Sequence, residues 1–263
     1  MLRLRNLGSG SSGNATLLEA GGSSGCARLL IDCGLGLREL ESRLVDAGVH
    51  PSQVDALFIT HEHADHAGSA VAFVRSHGCA MWLSQGTYAA MGAPDMGDRI
   101  RLARDGGTLS FGGLMELHPY TVPHDASEPL QLVCTQGGCR VGILTDIGHP
   151  TPHVRRQLAG CHALMLECNH DSDLLAASAY PPFLKQRIGG AYGHLSNLQA
   201  AELAASLVHD GLRHLIAAHL SERNNRPSLA QEALAAATGR SAADILVADP
   251  TRGTPWLTME TGI

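Results

Sequence analysis

The stretch HEHADH at residues 61–66 contains three histidines, a glutamate and an aspartate, and it directly follows a short apolar run. In an extended loop, side chains two positions apart project on the same side. His61 and His63 can therefore bind one cation, while Asp65 and His66 turn toward a second. Imidazole and carboxylate ligands suit zinc, and they also suit manganese or iron. Surface histidines, or a helix start capped by Asp65, are the alternatives, but the density of ligand-type side chains favours a metal site.

Four such side chains do not complete two metal sites, so further ligands must come from other strand ends. Three segments offer one each, because a metal-capable side chain directly follows an apolar strand. They are His124 in TVPHDAS, Asp146 in ILTDIGH and His219 in IAAHLSERNN. The two oxygens of a carboxylate such as Asp146 can reach two cations at once. The sequence thus predicts two divalent metal ions, with zinc favoured and manganese or iron as alternatives.

The strands that position these ligands are indicated by apolar runs. Each of four predicted strands ends just before a candidate ligand: Ala56–Thr60, Leu114–Val122, Arg140–Leu144 and His214–Ala218. Further strands are predicted at Leu2–Leu7, Ala15–Ala20, Arg28–Asp32, Ala80–Ser84, Leu130–Thr135, Ala163–Glu167 and Ile245–Val247, and helices at Leu37–Ala47, Ala67–His77, Leu198–His209 and Leu229–Ala237.

The order of these elements indicates the fold class. Strands come first and mixed strands and helices follow, without steady alternation, which favours an α/β (α+β) protein in which two mixed sheets pack together with helices outside. No repeat or linker divides the chain, so residues 1–263 are expected to form a single domain.

One glycine motif near the N-terminus is a false lead. GSGSSG, residues 8–13, satisfies the spacing of a dinucleotide-binding fingerprint, but that fingerprint needs a helix to follow. The next residues, NATLLEA, alternate as a strand does. A Gly/Ser turn is the better interpretation, although its tip could still lie beside a site.

Composition excludes several classes of protein. The chain has 44% apolar residues, but it has no run of about 18 or more of them and no signal-type start, so we expect a cytoplasmic protein without a membrane partner. Its seven cysteines are dispersed without a CxxC pair, which argues against a disulfide framework or a thiolate zinc site. The net charge of −6 gives nucleic-acid binding no support, although local arginines and bound cations can reverse the field at one site.

Five separated segments together resemble the metallo-β-lactamase fold superfamily of binuclear metallohydrolases. Asp32 in LLIDCG, the cluster at residues 61–66, His124, Asp146 and His219 match the five motifs of that family in order. The resemblance implies an αββα sandwich with the metals between the sheet edges.

The same resemblance implies a ligand set. His61, His63 and His124 would hold one metal, Asp65, His66 and His219 would hold the other, and Asp146 would bridge them. Asp32 would act indirectly, by fixing the loop that carries the cluster. True β-lactamases place cysteine where Asp146 stands, so antibiotic hydrolysis is not expected. The aspartate is similar to the phosphodiesterase and glyoxalase branches instead.

Segments outside the ligands narrow the branch further. GSGSSGNAT, THEHADHAGS, LECNHD, GHLSN and HLSERNN resemble the WalJ/YycJ-like group of bacterial metallohydrolases, which implies exonuclease-type hydrolysis of DNA with two divalent metals. Transfer RNase Z protonates its leaving group with paired loops, and these resemble in position the segments that contain Glu167, His170, Asp171 and His194. The sequence ECNHD, however, differs from the motif of that family. The long Gly/Pro-rich arm of transfer RNase Z has no counterpart here, which disfavours tRNA maturation.

Two side chains are predicted to take part in catalysis directly. Asp65 would orient the nucleophile, a hydroxide formed from metal-coordinated water, and a protonated His194 would donate to the departing alkoxide. The alternative for His194 is N-capping of the following helix. Weaker candidates for substrate contact, for which capping, turn or surface roles suit the sequence equally well, are Asn14, His170, Asp171, Arg223 and Asn225.

Three functions compete. A metal-dependent phosphodiesterase acting on nucleic acid, with DNA favoured over RNA, is the leading hypothesis. The alternative in the same fold is a small-molecule hydrolase acting on a thioester, lactone or cyclic phosphodiester. Such enzymes usually add a substrate domain or lid, and the short segment after His219 shows none. A noncatalytic metal-binding scaffold is the third hypothesis, and the complete ligand set argues against it.

Overall fold

Two seven-stranded β-sheets with helices on their outer faces make up the computed structural model, which describes residues 1–22 and 25–259. The strands among these residues are β1 Leu2–Gly8, β2 Ala15–Gly22, β3 Gly25–Ile31, β4 Ala56–Phe58, β5 Ala80–Leu83, β6 Ile100–Leu102, β7 Leu109–Phe111, β8 Met115–Thr121, β9 Leu130–Gln136, β10 Cys139–Leu144, β11 Ala163–Glu167, β12 His214–Ala218, β13 Ile245–Val247 and β14 Leu257–Met259. The α-helices among them are α1 Leu37–Asp46, α2 Ala64–Ala67, α3 Ala70–His77, α4 Gln85–Ala90, α5 Pro152–Leu158, α6 Ser172–Ala177, α7 Pro182–Ile188, α8 Asn197–Leu207 and α9 Pro227–Thr238.

Each sheet has an antiparallel half and a parallel half. The first sheet has the order β14-β1-β2-β3-β4-β5-β6, and its strands from β3 to β6 run parallel. The second has the order β13-β12-β11-β10-β9-β8-β7, and its strands from β10 to β13 run parallel. Because β8 and β10 are both antiparallel to β9, they point the same way. The carboxyl ends of β8, β10, β11 and β12 therefore lie along one edge.

The core has three apolar layers, because alternate side chains of a strand face opposite sides of its sheet. In β3, Leu29 and Ile31 pack between the two sheets, whereas Leu30 faces the outer layer beneath α1 and α3. In β11, Met165 packs between the sheets, and Leu164 and Leu166 face the outer layer beneath α5, α8 and α9. Strands buried on both faces are continuous apolar runs, as these are.

The predicted sandwich of two mixed sheets flanked by helices is confirmed. The Gly/Ser turn of residues 8–13 leads into β2 rather than into a helix, as predicted. The prediction omitted α2, α4, α5, α6, α7, β6, β7 and β14. None of the described helices is long and apolar enough to span a bilayer.

Candidate metal centre

The predicted ligands lie where the carboxyl ends of strands from both sheets meet. In the first sheet, Asp32 follows β3 and His61 lies in the loop after β4. In the second sheet, His124 follows β8, Asp146 follows β10 and His219 follows β12. Both sheets must therefore fold before the site exists.

Three histidine nitrogens form the first donor group. Nε2 of His61 lies 3.1 Å from Nδ1 of His63, which lies 3.3 Å from Nε2 of His124. The other ring nitrogens of two of them donate outward, Nδ1 of His124 to the carbonyl oxygen of Gly193 at 3.2 Å and Nδ1 of His61 to Oγ1 of Thr60 at 3.0 Å. Their inward nitrogens are thus free to bind a cation.

Asp65, His66 and His219 form the second donor group. Oδ2 of Asp65 lies 3.6 Å from Nε2 of His66 and 3.4 Å from Nε2 of His219. Both histidines are buried, whereas the Asp65 side chain is 26% exposed. Asp65 is therefore the member of this group that solvent or a substrate can reach.

The Asp146 carboxylate lies between the two donor groups. Its Oδ2 is 2.7 Å from Nε2 of His66, and its Oδ1 is 4.0 Å from Nε2 of His124. Although Oδ2 is this close to an imidazole nitrogen, it has no aligned hydrogen bond and is buried from water. An acceptor in that state needs a partner, and this position is compatible with the predicted bridging role.

The spacing of the donors fits divalent metal ions. Ligand atoms about 2.1 Å from a tetrahedral ion such as zinc lie roughly 3.4 Å apart. The neighbouring donors within the two groups are 3.1–3.6 Å apart. The orphaned Oδ2 of Asp146 is also an atom that a cation would satisfy. The His/Asp clusters of the described residues are therefore suited to hold divalent ions.

Two buried carboxylates orient the histidines from behind. Oδ2 of Asp32 accepts a hydrogen bond from Nδ1 of His66 at 2.7 Å, and Oδ1 accepts one from the hydroxyl of Thr60 at 2.9 Å. Oε1 of Glu167 accepts a hydrogen bond from Nδ1 of His219 at 3.0 Å. Such contacts fix the ring orientation and make the opposite nitrogen a better ligand. Asp32 thus contacts the loop that carries the cluster, and Glu167 makes the equivalent contact to a histidine of the second sheet.

Three of these residues have left-handed backbones. The φ angles are 63° at Asp32, 53° at Asp146 and 54° at His219. This conformation costs a side-chain-bearing residue about 1–2 kcal/mol and is found mostly at functional positions. The sharp turns aim each side chain from its strand end into the site.

Close backbone packing fixes the loop that carries the cluster. A Cβ atom on Gly34 would lie 1.7 Å from the carbonyl oxygen of Asp65, so only glycine fits there. The backbone N–H of Asn14 donates to the same carbonyl at 2.8 Å, and the amide nitrogen of its side chain lies 3.0 Å from Nε2 of His66. The turn at residues 8–13 also reaches the site, because Oγ of Ser9 accepts a hydrogen bond from the backbone N–H of His219 at 2.7 Å.

The buried charges of the site shift one another's pKa values. Burial disfavours the charged His66 ring, but the carboxylates of Asp146 and Asp32 outweigh burial and hold the pKa of His66 well above its ordinary value. Burial acts against His219 as well, and Asp146, with help from Asp65 and Glu167, raises the pKa of His219 to about 9. Burial lowers the pKa of His61 well below its ordinary value. Without metal, His66 and His219 are therefore protonated at neutral pH.

Metal binding should consequently release protons. Titrating the metal-free protein with zinc chloride near neutral pH is expected to displace about two protons per chain, because His66 and His219 must lose theirs to become ligands. Isothermal titration calorimetry in buffers of different ionisation enthalpy measures this number. The number should fall when the pH is raised above 9, the pKa of His219. Binding without proton release at neutral pH would contradict the ligand assignment of both residues.

His194 and Glu167 form an ion pair on the wall of the cleft. Nδ1 of His194 donates to Oε1 of Glu167 at 2.8 Å and lies 3.3 Å from Oδ1 of Asp146. Burial disfavours the charged ring, but Glu167 outweighs it and holds the pKa of His194 well above its ordinary value. Helix α8 is capped by Ser196, so capping does not explain His194. The pair presents a protonated imidazole, with Nε2 uncommitted, to a cleft beside both donor groups.

Helix α7 forms the opposite wall, and it was missed in the sequence. Leu184, Arg187 and Ile188 line the cleft, which has a volume of about 380 Å³, and no residue of α7 is buried. Nε of Arg187 donates to Oδ2 of Asp125 at 2.6 Å, and Oδ1 of Asp125 lies 3.5 Å from Nε2 of His124. The sequence prediction considered only the segment after His219 as a possible cover, whereas α7 precedes it and lies along one side of the site.

Of the five weaker substrate-contact candidates, Asn14 lies beside His66, and the other four lie outside the lining of the metal cleft. Asp171 caps α6 with its side chain. Asn225 is buried and donates to the carbonyl oxygen of Cys168 at 2.7 Å. His170 is buried and lines a neighbouring pocket behind α7, and Arg223 is exposed away from the cleft lining. Contact of these four residues with a substrate stays a prediction.

Comparison with known proteins adds family and fold relatives. The family described as "Metallo-beta-lactamase superfamily" matches residues 8–207. The exodeoxyribonuclease YycJ of Bacillus anthracis is 30% identical over 230 residues, which are 86% of this chain and 84% of that protein. The metallo-beta-lactamase fold protein YhfI from Bacillus subtilis has a TM-score of 0.77 at 15% identity, covering 98% of this chain and 100% of that one. The short form of human tRNase Z has a TM-score of 0.66 at 13% identity, covering 98% and 100%.

Proposed function

The chain belongs to the metallo-β-lactamase superfamily, and on that basis we propose that it is a metal-dependent phosphodiesterase that degrades DNA from an end. One observation carries the proposal: the charged His194–Glu167 pair lies beside Asp146, and His194 lines the same cleft as residues of both donor groups. A sugar alkoxide is a poor leaving group that needs a proton as the P–O bond breaks, and a general acid must therefore stand close to the metal donors.

Two cations are proposed, one in each donor group, with Asp146 shared. The donors are imidazole and carboxylate, which suit zinc, and manganese or iron also accept them. Bound there, the ions would supply a water of lowered pKa as the nucleophile and would neutralise the charged phosphate oxygens.

The chain's own residues then have separate tasks. Asp65, which reaches the cleft, accepts a hydrogen bond from the attacking water and turns its lone pair toward phosphorus, and the proton that this water loses passes to solvent. As the new P–O bond forms, the old P–O bond to the departing sugar oxygen breaks, and His194 gives that oxygen the proton on Nε2. Glu167 holds the His194 ring through Nδ1, so that Nε2 stays the donor. Solvent protons recharge His194 after the product leaves.

DNA is the proposed substrate for two reasons. The relative that is 30% identical bears the name exodeoxyribonuclease. The cleft also offers a cation to a phosphate, because the Arg187 side chain is 63% exposed on its wall.

A second candidate function is favoured by the apolar part of the same wall. Leu184 and Ile188 face the cleft, and its volume of about 380 Å³ lies within the range of small-molecule pockets, roughly 300–1,000 Å³. A hydrolase of a thioester, lactone or cyclic phosphodiester would use these contacts to hold its substrate.

A substrate panel separates the two functions. The metal-loaded protein is expected to shorten end-labelled single-stranded DNA nucleotide by nucleotide, because the site provides both a nucleophile and a general acid for phosphodiesters. Gel electrophoresis of the products measures this. The same preparation is assayed on thioesters, lactones and cyclic dinucleotides, and the metal-free protein is the control. Intact DNA beside rapid ester turnover would reverse the assignment.

A further inference from the structure

Two exposed aromatic residues are sequence neighbours of residues that line the cleft. The chain has ten aromatic residues, and among the described ones only Phe183 and Tyr192 are exposed, at 72% and 63%. Each is adjacent in sequence to a residue that lines the cleft, Phe183 to Leu184 and Tyr192 to Gly193. A single exposed apolar residue needs no explanation, but two exposed aromatic residues, each next in sequence to the lining of the same cleft, indicate a surface that meets a ligand.

The two aromatic residues lie on α7 and on the loop after it, and these two segments contact each other. Arg187 lies one helical turn after Phe183 on α7, so their side chains lie on the same face. Arg187 pairs with Asp125, and the backbone N–H of Asp125 donates to the carbonyl oxygen of Tyr192 at 3.0 Å. A Cβ on Gly193 would lie 2.1 Å from the carbonyl oxygen of Arg187, so the loop after α7 packs tightly against the end of that helix. Phe183, Arg187 and Tyr192 therefore form a connected rim, which we call the aromatic rim.

The charge of the rim contrasts with that of the whole chain. Helix α7, PFLKQRI, has no acidic residue, whereas the chain has a net charge of −6. Its Arg187 lines the cleft, and its Lys185 lines the neighbouring pocket behind the helix. Placing a cationic helix beside exposed aromatic rings suits a polyanion whose bases have flat faces. That description fits single-stranded nucleic acid, since base stacking and phosphate contact together give most such binding.

We propose that the aromatic rim holds the single-stranded part of a DNA substrate, with bases stacked on Phe183 and Tyr192 and a phosphate on Arg187. This rests on the proposed function and deepens it, because it specifies unpaired DNA as the form that enters the cleft. The rim continues into the metal cleft through Leu184 and Gly193, so a strand lying on it reaches the donor groups end first. Bases paired in a duplex present no free face to the rings.

Binding of a hydrolysis-resistant probe tests the proposal. We expect Phe183→Ala and Tyr192→Ala each to weaken binding of a fluorescein-labelled phosphorothioate oligothymidylate of about ten nucleotides by roughly 5–150-fold, as measured by fluorescence anisotropy. Phe183→Trp should retain the affinity, whereas Phe183→Leu, which is apolar but has no aromatic face, should lose it. Val45→Ala on α1 is the matched control, because Val45 is 58% exposed and distant in sequence from the cleft. That variant should bind as the unchanged protein does.

Other outcomes would overturn the proposal. Equal affinity in the wild type and both alanine variants would remove the rim from DNA binding, and equal weakening for a blunt duplex would remove the preference for single strands. A dimer that Phe183→Ala dissociates without any change in oligonucleotide affinity would assign the rings to a protein interface.

A second substrate keeps this failure apart from failure of the proposed function. Hydrolysis of bis(p-nitrophenyl) phosphate by the wild-type protein, together with unchanged oligonucleotide binding in the variants, would overturn the rim alone. Failure of the wild type to hydrolyse either bis(p-nitrophenyl) phosphate or DNA would overturn the phosphodiesterase function, and with it the proposal that depends on it.

Discussion

Replacing Asp146 with asparagine is expected to lower DNA hydrolysis by more than about 10³-fold, because the charge shared by the two donor groups is lost. Oδ2 of Asp146 is 2.7 Å from Nε2 of His66, in the second donor group, and Oδ1 is 4.0 Å from Nε2 of His124, in the first. An amide offers one acceptor oxygen, no charge and two N–H donors that repel cations. Asparagine also tolerates the left-handed backbone, so the fold should persist. Initial rates measure DNA hydrolysis, metal analysis measures the bound ions, and circular dichroism shows whether the fold persists.

Asp32→Asn provides the matched control. Asp32 has the same left-handed backbone and also contacts His66, but it contacts Nδ1, on the side away from the cleft. Replacing a residue that only orients a ligand typically lowers metal affinity or activity by roughly 10–100-fold. If Asp146→Asn proved no more harmful than Asp32→Asn, Asp146 would not be a shared ligand.

Replacing His194 with asparagine is expected to slow DNA hydrolysis by about 10²–10⁴-fold, the usual contribution of a general acid. Nδ1 of His194 is 2.8 Å from Glu167, and an asparagine amide can retain that hydrogen bond without offering a proton to the cleft. Hydrolysis of a substrate whose leaving group needs no proton should be slowed much less. Bis(p-nitrophenyl) phosphate, which releases p-nitrophenolate, should therefore lose less than about tenfold.

The comparison between the two substrates is decisive for the role of His194. His153→Asn is the control, because His153 lies on α5 and pairs with Asp105 rather than with the site. Both activities should be retained in it. Equal losses on DNA and on bis(p-nitrophenyl) phosphate in His194→Asn would show that His194 supports the metal site and does not protonate the leaving group.

The strands next to the site were the easiest elements to predict. Strands β11 and β12 have the bounds expected from the sequence, because parallel strands buried on both faces are apolar runs that end at a polar residue. The helices α5, α6 and α7 are six or seven residues long and were missed. Helices this short depend on tertiary contacts, and they carry little periodic signal of their own. The last described strand, β14, was also missed. It pairs with β1 at the other end of the chain, and no local sequence pattern indicates such a distant pairing.

The site divides in the same way. The cluster at residues 61–66 is local, so spacing alone indicated it, and His124, Asp146 and His219 were found because each follows a strand. The contact of one Glu167 oxygen with both His194 and His219 was beyond sequence reasoning, because it joins the end of β11 to two separate loops. Arg187 and Asp125 were missed for a similar reason, since their pairing depends on how the loop after β8 meets α7. A cation in PFLKQRI suggests only a solvated helix until that neighbour is known.

The left-handed turns at Asp32, Asp146 and His219 restrict how this centre can change. At such positions asparagine and glycine are tolerated, whereas β-branched or bulky residues are true outliers. Alanine scanning would therefore add a backbone penalty to each loss of function, and the two effects would be counted as one. Exchanging these ligands to change the metal preference is restricted in the same way, because few residue types tolerate the left-handed backbone. Variation in substrate range should therefore arise more readily in the solvent-exposed α7 and the loops around it.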